Sequence, residues 1–535
     1  MELPEIPSEE RTSLVETLLG VIRQLLDRVQ QLEETNQQLR DEIALLKGQK
    51  PKPQIKPSQL ESPSPRPQAE GEQRPGSPKR SKTIELIVHK EVPLHPPDLP
   101  AGAVFKGYEP FVVQELKIEC QNTRYLRARY QLPTGGTVLA SLPAEIHSHF
   151  GPDLICYILE QYHHAHVTQP LLLEQLHDFG IDISAGQLNR ILTENHDAFH
   201  QEKAELLAAG LATASYIGTD DTGARHQGRN GYCTVIGNDL FAYFESTASK
   251  SRLNFLHVLH GGQCLYAINE TTLAYWERQK LAATVVEKLR DGPPAFADTV
   301  AWQARLAELG VTDERHIRLV TEGALLGGLI ERGVSPELVV LSDGAPQFDL
   351  LVHASCWIHA ERPLARLVPH NDEHRAAIEK VREQIWELYR DLKAYRQQPD
   401  AARQPLLEAR FDALVGQQTG YPSINGMLKE MRDHRADLLR VLERPEVPLH
   451  NNAAESDIRE YVKKRKISGS TRSDSGRRCR DTFASLKKTC RKLGVRFWEY
   501  LQDRIRGLGQ VARLATLIRQ RAAAGQPAVS EAVPV

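Results

Sequence analysis

The sequence predicts a multidomain α+β protein: an N-terminal coiled coil, a small β module, a helical domain, and an α/β core carrying a helical insertion. Three observations predict it. A heptad repeat opens the chain, two apolar runs each end in a carboxylate at 220 and 343, and apolar residues beyond 371 step by three and four as an amphipathic helix does. With 535 residues, the chain has room for about three or four domains. Charged residues make up 25% and apolar ones 41%, which suits a soluble protein with real cores. The formal net charge is −2, so any charged partner must be sought in local distribution. Seven scattered cysteines without a C-x-x-C pair fit a reducing compartment better than a disulfide framework. The opening Met1 to Glu10 is acidic, unlike a signal peptide, and no run approaches the ~20 apolar residues of a membrane span. A cytoplasmic location without a membrane partner is expected.

Residues 9–48 carry the heptads. Val15, Ile22, Val29, Asn36 and Ile43 fall at one seam position, and Leu18, Leu25, Leu32, Leu39 and Leu46 at the other. β-branched residues opposite leucines favour a parallel two-stranded coiled coil, and the single Asn36 fixes its register. A helix packed on its own chain would show a wider stripe. A homodimer or higher oligomer is therefore expected. Residues 49–82, rich in Pro, Ser, Lys and Gln, hold too few apolar residues to fold and read as a disordered linker.

Short alternating runs at 83–145, such as Phe111 to Ile118, read as the small β module. Its one cysteine, Cys120, cannot build a four-ligand zinc site, so no zinc is expected. From 146 to 210 the pattern turns helical. Pro170 to Phe179, a turn at Gly180 to Ser184, and Gln187 to Leu192 suit a helix-turn-helix with Ser184 as cap. Gln187, Asn189 and Arg190 have groove-reading chemistry. Two ordinary core helices would show the same pattern.

The core, 211–510, begins with Ser215-Tyr-Ile-Gly-Thr-Asp-Asp-Thr-Gly223, a β-prone run ending in two acids. Leu338-Val-Val-Leu-Ser-Asp343 repeats the design. Open α/β sheets place ligands at such C-terminal strand edges. Strand alternation sends Asp220 and Asp221 to opposite faces, so only one can point into a site. A hairpin at 231–245, helices, and then the strand before Asp343 give the order of a ribonuclease-H-like sheet, which would set Asp343 beside the first acid. Two divalent ions need a further carboxylate. The candidate is Glu455, although Asn452-x-x-Glu455 is also a capping-box pattern. Basic residues crowd the next stretch, among them Arg459, Lys463, Lys464, Arg465, Lys466, Arg477 and Arg478. A basic run is often a solvated face, but its position beside a carboxylate site points to phosphate neutralisation.

Taken in order, Asp220-Asp-Thr222, Ser342-Asp-Gly344, Cys356-Trp-Ile-His-Ala-Glu-Arg362, Asn451-Asn-Ala-Ala-Glu455 and the basic segment with Gly469 and Gly476 resemble the bacterial DDE-type transposases of the insertion sequence 66 group. The resemblance covers most of the chain. It implies that Asp220, Asp343 and Glu455 are catalytic and bind two Mg²⁺ or Mn²⁺ ions. It further implies that His359 and Arg362 contact phosphate or water, and that the partners are the element's double-stranded DNA ends, target DNA and small accessory proteins. Asp221 stands where the family usually has Glu, and the cysteines of the family's usual zinc module are missing here. Cleavage and strand transfer are the expected activities of a bacterial, nucleoid-associated enzyme. A nuclease that cuts without joining, or a non-catalytic DNA-binding regulator, would use the same residues. Ile378, Val381, Ile385, Leu388, Leu392 and Tyr395 place the helical insertion at about 371–440. An Ala-rich tail is expected at 511–535.

Overall fold

A computed structural model describes residues 88–525, apart from 99, 101, 144, 145 and 147, together with 20, 22 and 28. The seam positions Leu18, Leu25, Leu32, Asn36, Leu39 and Leu46, the linker at 49–82 and the last residues of the tail lie outside the described residues. The chain divides into two units, Met1–Lys117 and Ile118–Val535. In the first, the described residues 88–117 form no helix or strand and leave Leu94, Phe111 and Leu116 exposed.

The second unit opens with a hairpin, β1 (Arg129–Gln131) and β2 (Thr137–Leu139), whose residues are all exposed. The packed β module expected at 83–145 is thus reduced, among the described residues, to this one ribbon. Alternation marks a face fit for burial but supplies nothing to bury it against, and two strands alone are marginal in water.

Helices α1 (Pro152–Leu159), α2 (Gln169–Asp178), α3 (Ala185–Thr193) and α4 (Asp197–Thr213) follow, with a π turn at 160–164 after α1. Leu172, Leu176, Leu188 and Leu192 bury the facing stripes of α2 and α3. Strands β3 (Tyr216–Gly223), β4 (Tyr232–Gly237) and β5 (Ala242–Thr247) then run antiparallel. Five helices come next: α5 (Arg252–Leu259), α6 (Glu270–Arg278), α7 (Ala283–Arg290), α8 (Thr299–Glu308) and α9 (Glu314–Glu331). They enclose a small ribbon, β6 (Tyr266–Ala267) with β7 (Ala295–Phe296). Strands β8 (Val339–Ser342) and β9 (Val352–Ser355) complete a five-stranded sheet in the order β5-β4-β3-β8-β9, with β8 parallel to both β3 and β9.

After α10 (Trp357–Ala365), helices α11 (Asp372–Gln397), α12 (Gln404–Gly416), α13 (Pro422–Asp433), α14 (Arg435–Leu438) and α15 (Arg440–Glu443) build a separate apolar core. The stripe from Ile378 to Tyr395 is the buried face of α11. Trp357 joins this core, and its indole donates to the Leu438 carbonyl at 2.8 Å.

The chain returns to the sheet through α16 (Asn452–Ser468) and α17 (Asp474–Lys492), then ends in α18 (Phe497–Arg506) and α19 (Leu514–Ala523). Helix α17 lies along the free edge of β5. Asp481, Ser485 and Thr489 accept from the amides of Ser246, Phe244 and Ala242 at 2.8, 2.9 and 3.1 Å. Four residues of helix advance about 6 Å and two residues of strand about 6.6 Å, so one helix face can satisfy every other strand amide. The edge is thereby closed to further strand pairing.

Candidate active site

The site forms where β3 and β8 end side by side. Tyr216 pairs with Val339, Ile217 with Val340 and Gly218 with Leu341. Continued two residues further, the same register sets Asp220 opposite Asp343. Asp343 lies just past its strand, where its Oδ1 accepts from the Ala345 amide at 3.0 Å, and Gly344 takes a left-handed φ of 94°. Asp220 is partly buried, and its Oδ1 accepts from the Asp221 amide at 2.8 Å. Its pKa is raised to about 6, first by burial and then by the negative charges of Asp343, Asp221 and Glu455, against that one amide bond.

Asp221 turns to other partners. Gln347 donates to its Oδ2 at 3.0 Å, and the Lys250 ammonium stands 3.7 Å from Oδ1. Of the two adjacent acids, Asp221 is the one already compensated by a cation.

Glu455 arrives on the first turn of α16. The helix is seated on β3 by Asn451, whose Nδ2 donates to the Thr219 carbonyl at 2.7 Å and whose amide donates to Cys356 Sγ at 3.4 Å. Gly218 makes the approach possible, since a Cβ there would lie 2.7 Å from Asn451 Oδ1. The capping-box reading of Glu455 is therefore corrected. Asn451 is the N-cap, its side chain makes no cap bond, and Asn452 is already helical. Glu455 instead accepts from Arg459 at 3.2 Å through Oε2, while Oε1 is buried without a partner. His359 Nδ1, also buried and unpartnered, is 3.7 Å from that oxygen, and Arg362 donates to His359 Nε2 at 2.9 Å.

Helix α16 sorts its side chains by face. Ala454, Ile458 and Tyr461 pack on the sheet, and Arg465 extends that row to donate to Gly223 O and to Thr222 Oγ1. Glu455 and Arg459 share the flank toward the acids. Asp457, Glu460 and Lys464 form the third flank, against α17 and the π turn. There Asp457 pairs with Lys488 and Lys492 at 3.4 and 2.9 Å, and Glu460 with Lys487 at 2.6 Å.

The basic run therefore divides. Arg459, Lys463, Lys466 and Arg478 are exposed, and Arg477 pairs with Asp474 at 3.0 Å. Lys464 corrects the expectation of a DNA contact. It is buried, donates to the Tyr162 carbonyl at 2.6 Å and lies over the Tyr162 ring at 3.6 Å, so its head group faces inward. In the helical region, the Gln187 side-chain oxygen accepts from the Ser184 amide at 3.0 Å in a capping box. Asn189 accepts from Gln169 at 3.3 Å, and Arg190 is exposed.

One arrangement escaped the sequence reading. Ser342 Oγ contacts His353 Nε2 at 2.9 Å, and His353 Nδ1 contacts Asp437 Oδ2 at 3.1 Å. These are the contacts of a Ser-His-Asp relay. Ser342 has no exposed surface, so no substrate reaches it, and the file acts as a strut from the helical insertion to the strand end beside Asp343. Ser342 Oγ also accepts from the Gly344 amide at 3.1 Å, which holds the turn around that acid. Nothing in the spacing of 342, 353 and 437 announces the strut.

Among the described residues, no three His, Cys, Asp or Glu side chains form a ready-made metal cage. Mg²⁺ does not require one, because it takes one or two carboxylates and keeps waters and substrate oxygens as its other ligands. Glu455 Oε1, buried and unpartnered, and Asp220, whose pKa is raised by burial and then by neighbouring acids, form a donor set that fits such ions.

A family profile described as "Transposase IS66 family" matches residues 344–478, a stretch that begins one residue after Asp343 and includes Glu455. The uncharacterized protein y4jO of Sinorhizobium fredii (strain NBRC 101917 / NGR234) is 40% identical over 321 residues, covering 59% of this chain and 100% of the relative.

Proposed function

The chain belongs to the IS66 family of transposases, and from that premise we propose that Asp220, Asp343 and Glu455 carry divalent-metal-dependent DNA cleavage and strand transfer. One observation carries the reading: Asp343 and Glu455, from distant parts of the chain, lie near enough to Asp220 at one sheet edge to add to the burial that raises its pKa, and among the described residues no Lys or Arg pairs with Asp220 or with Glu455 Oε1. The strand order, three antiparallel strands followed by a parallel neighbour, supports a ribonuclease-H-like core.

Asp220, Asp343 and Glu455 would hold two Mg²⁺ or Mn²⁺ ions, which when bound activate a water and stabilise the leaving oxygen. Asp343, at the exposed end of β8, faces the incoming strand. Arg459 draws a phosphate toward Glu455, and burial, with the charge of Arg362, favours a neutral His359 whose ring can donate from Nδ1. In the first reaction, water attacks phosphorus at the element's end, and the leaving 3′ oxygen ends as a hydroxyl. In the second, that hydroxyl attacks a target phosphodiester, forming a new P–O bond as the target's bond breaks. Arg190 of α3 and the exposed Lys463, Lys466 and Arg478 give the DNA its electrostatic footing. Pairing of two chains, which the heptad spacing of the sequence predicts, would suit synapsis of two ends.

The test is Asp343→Asn with a labelled 3′ end. The substitution should abolish Mg²⁺-dependent cleavage and joining while binding to DNA persists. Unchanged cleavage would falsify the carboxylate assignment. Cleavage by the parent without joined products would make the protein a nuclease.

A further inference from the structure

Strand β3 ends at Gly223, three residues beyond Asp220, and a cleft of about 390 Å³ opens there. Arg225, Asn230, Tyr232, Arg465, Gly469 and Ser470 line it, and no acidic side chain among the described residues does. Neither arginine has a carboxylate partner among the described residues. Arg465 donates to Gly223 O and Thr222 Oγ1, and Arg225 Nη2 donates to the Gly228 carbonyl at 2.9 Å. Elsewhere in this unit the partly or fully buried cations Lys203, Lys487, Lys492 and Arg504 each face an acid, at 2.5, 2.6, 2.9 and 2.8 Å, whereas Lys464 and Arg480 donate to backbone carbonyls inside the fold. Two guanidiniums directed at common space and satisfied only by neutral oxygens retain their charge for an anion.

The loop carrying Arg225 is also held in place. Gln227 N donates to Thr471 O at 2.9 Å and Thr471 N to Arg225 O at 3.2 Å. His226 bridges Thr471 Oγ1 at 2.9 Å and Asp474 Oδ1 at 3.1 Å. These bonds join the β3–β4 turn to the connection between α16 and α17, so both walls of the cleft are set before anything enters it. Lys250 lies 3.7 Å from Asp221 Oδ1 and 5.7 Å from the centre of the Tyr232 ring. Three strand residues span about 10 Å. That is about three rises of a nucleic-acid strand at about 3.4 Å each.

We propose that this cleft is a nucleotide subsite for the DNA strand adjoining the scissile phosphodiester, with Arg225 and Arg465 on a phosphate and the Tyr232 ring against the neighbouring base or sugar. The proposal rests on the transposase reading of the three acids. Asn230 adds an amide that can donate to phosphate or base oxygens. The contacts position the strand and carry little sequence information.

The test uses the full-length chain and a fluorescein-labelled duplex bearing the element's own terminal sequence, titrated by anisotropy over a series of KCl concentrations, with Mg²⁺-dependent cleavage of the same duplex assayed in parallel. Arg225→Ala should weaken binding several-fold and reduce the slope of log K against log salt by about one. Arg225→Lys should keep the parental slope. Tyr232→Ala should weaken binding about ten-fold at every salt concentration without changing the slope. A photoreactive base should crosslink to Tyr232 only within about three nucleotides of the cut. If the parent cleaves the duplex while Arg225→Ala, with an unchanged circular dichroism spectrum, keeps the parental slope, the cleft is not a subsite and the three acids keep their role. A parent that neither cleaves nor joins DNA overturns the reading beneath it.

Discussion

Nδ1 of His359 stands 3.7 Å from Oε1 of Glu455, and both atoms are buried without a hydrogen bond. A guanidinium only donates, so the 2.9 Å contact from Arg362 makes Nε2 the acceptor and leaves the proton of the neutral ring on Nδ1. Burial, and then the charge of Arg362, hold the His359 pKa below its ordinary value. The ring therefore leaves the carboxylate charge of Glu455 standing. Glu455→Gln keeps the shape and removes the charge. Its melting temperature without divalent cations should equal or exceed that of the parent, and the rise on adding MgCl₂ should vanish. An equal Mg²⁺-induced rise in both proteins would remove Glu455 from the ion site.

Gly218 and Asn451 set the distance between strand and helix. A Cβ at 218 would meet Asn451 Oδ1 at 2.7 Å and Ala454 Cβ at 3.5 Å. Gly218→Ala should cost about 1–3 kcal/mol in urea unfolding. Cleavage should fall by about a hundred-fold, because moving Glu455 by about 1 Å spoils alignment more than it spoils packing. Full activity in that variant would show that the seat of α16 does not govern the acids.

The strut through His353 should be visible in acid. Burial raises the Asp437 pKa, but the hydrogen bonds from His353 and then His434 hold it below its ordinary value. The folded state then binds fewer protons than the unfolded one, so this contribution is complete above the ordinary carboxylate range and fades as pH falls through the depressed value. His353→Phe should cost about 2 kcal/mol at neutral pH. It should also flatten the acid limb of the stability curve measured by urea unfolding. A parallel downward displacement of the whole curve would mean that Asp437 draws nothing from the histidine.

Lys464 gives the opposite sign. Burial first, then the charges of Arg480 and Lys487, pull its pKa down to about 7. Between that value and the ordinary lysine range the unfolded chain binds more protons, so this residue makes stability rise with pH across the interval. Lys464→Met fills a similar volume without the charge. The difference in unfolding free energy between the two proteins should shrink as pH rises from 7 to 10, with the methionine variant ahead at the lower end. A difference independent of pH would show that the ammonium stays fully charged above the Tyr162 ring.

What the sequence by itself determined is what a local period can encode. The stripe from Ile378 to Tyr395 announces the buried face of α11, because helix periodicity and core burial follow the same spacing. The two apolar runs announce strands ending near Asp220 and Asp343, and alternation separates Asp220 from Asp221. The alternating runs before residue 146 describe a face, and among the described residues they yield one exposed ribbon with no layer packed on it. Tertiary structure decided everything that depends on which distant atom fills a bond. Asn452-x-x-Glu455 reads equally well as a cap or a ligand until Asn451 spends its amide on Thr219 O. The basic run is uniform in sequence, but Asp457 and Glu460 draw Lys487, Lys488 and Lys492 inward, and the Tyr162 ring and carbonyl take Lys464. Charge is a property of composition. Its availability depends on helix face and on the nearest oppositely charged or polar atom, and those are set by packing between segments far apart in the chain.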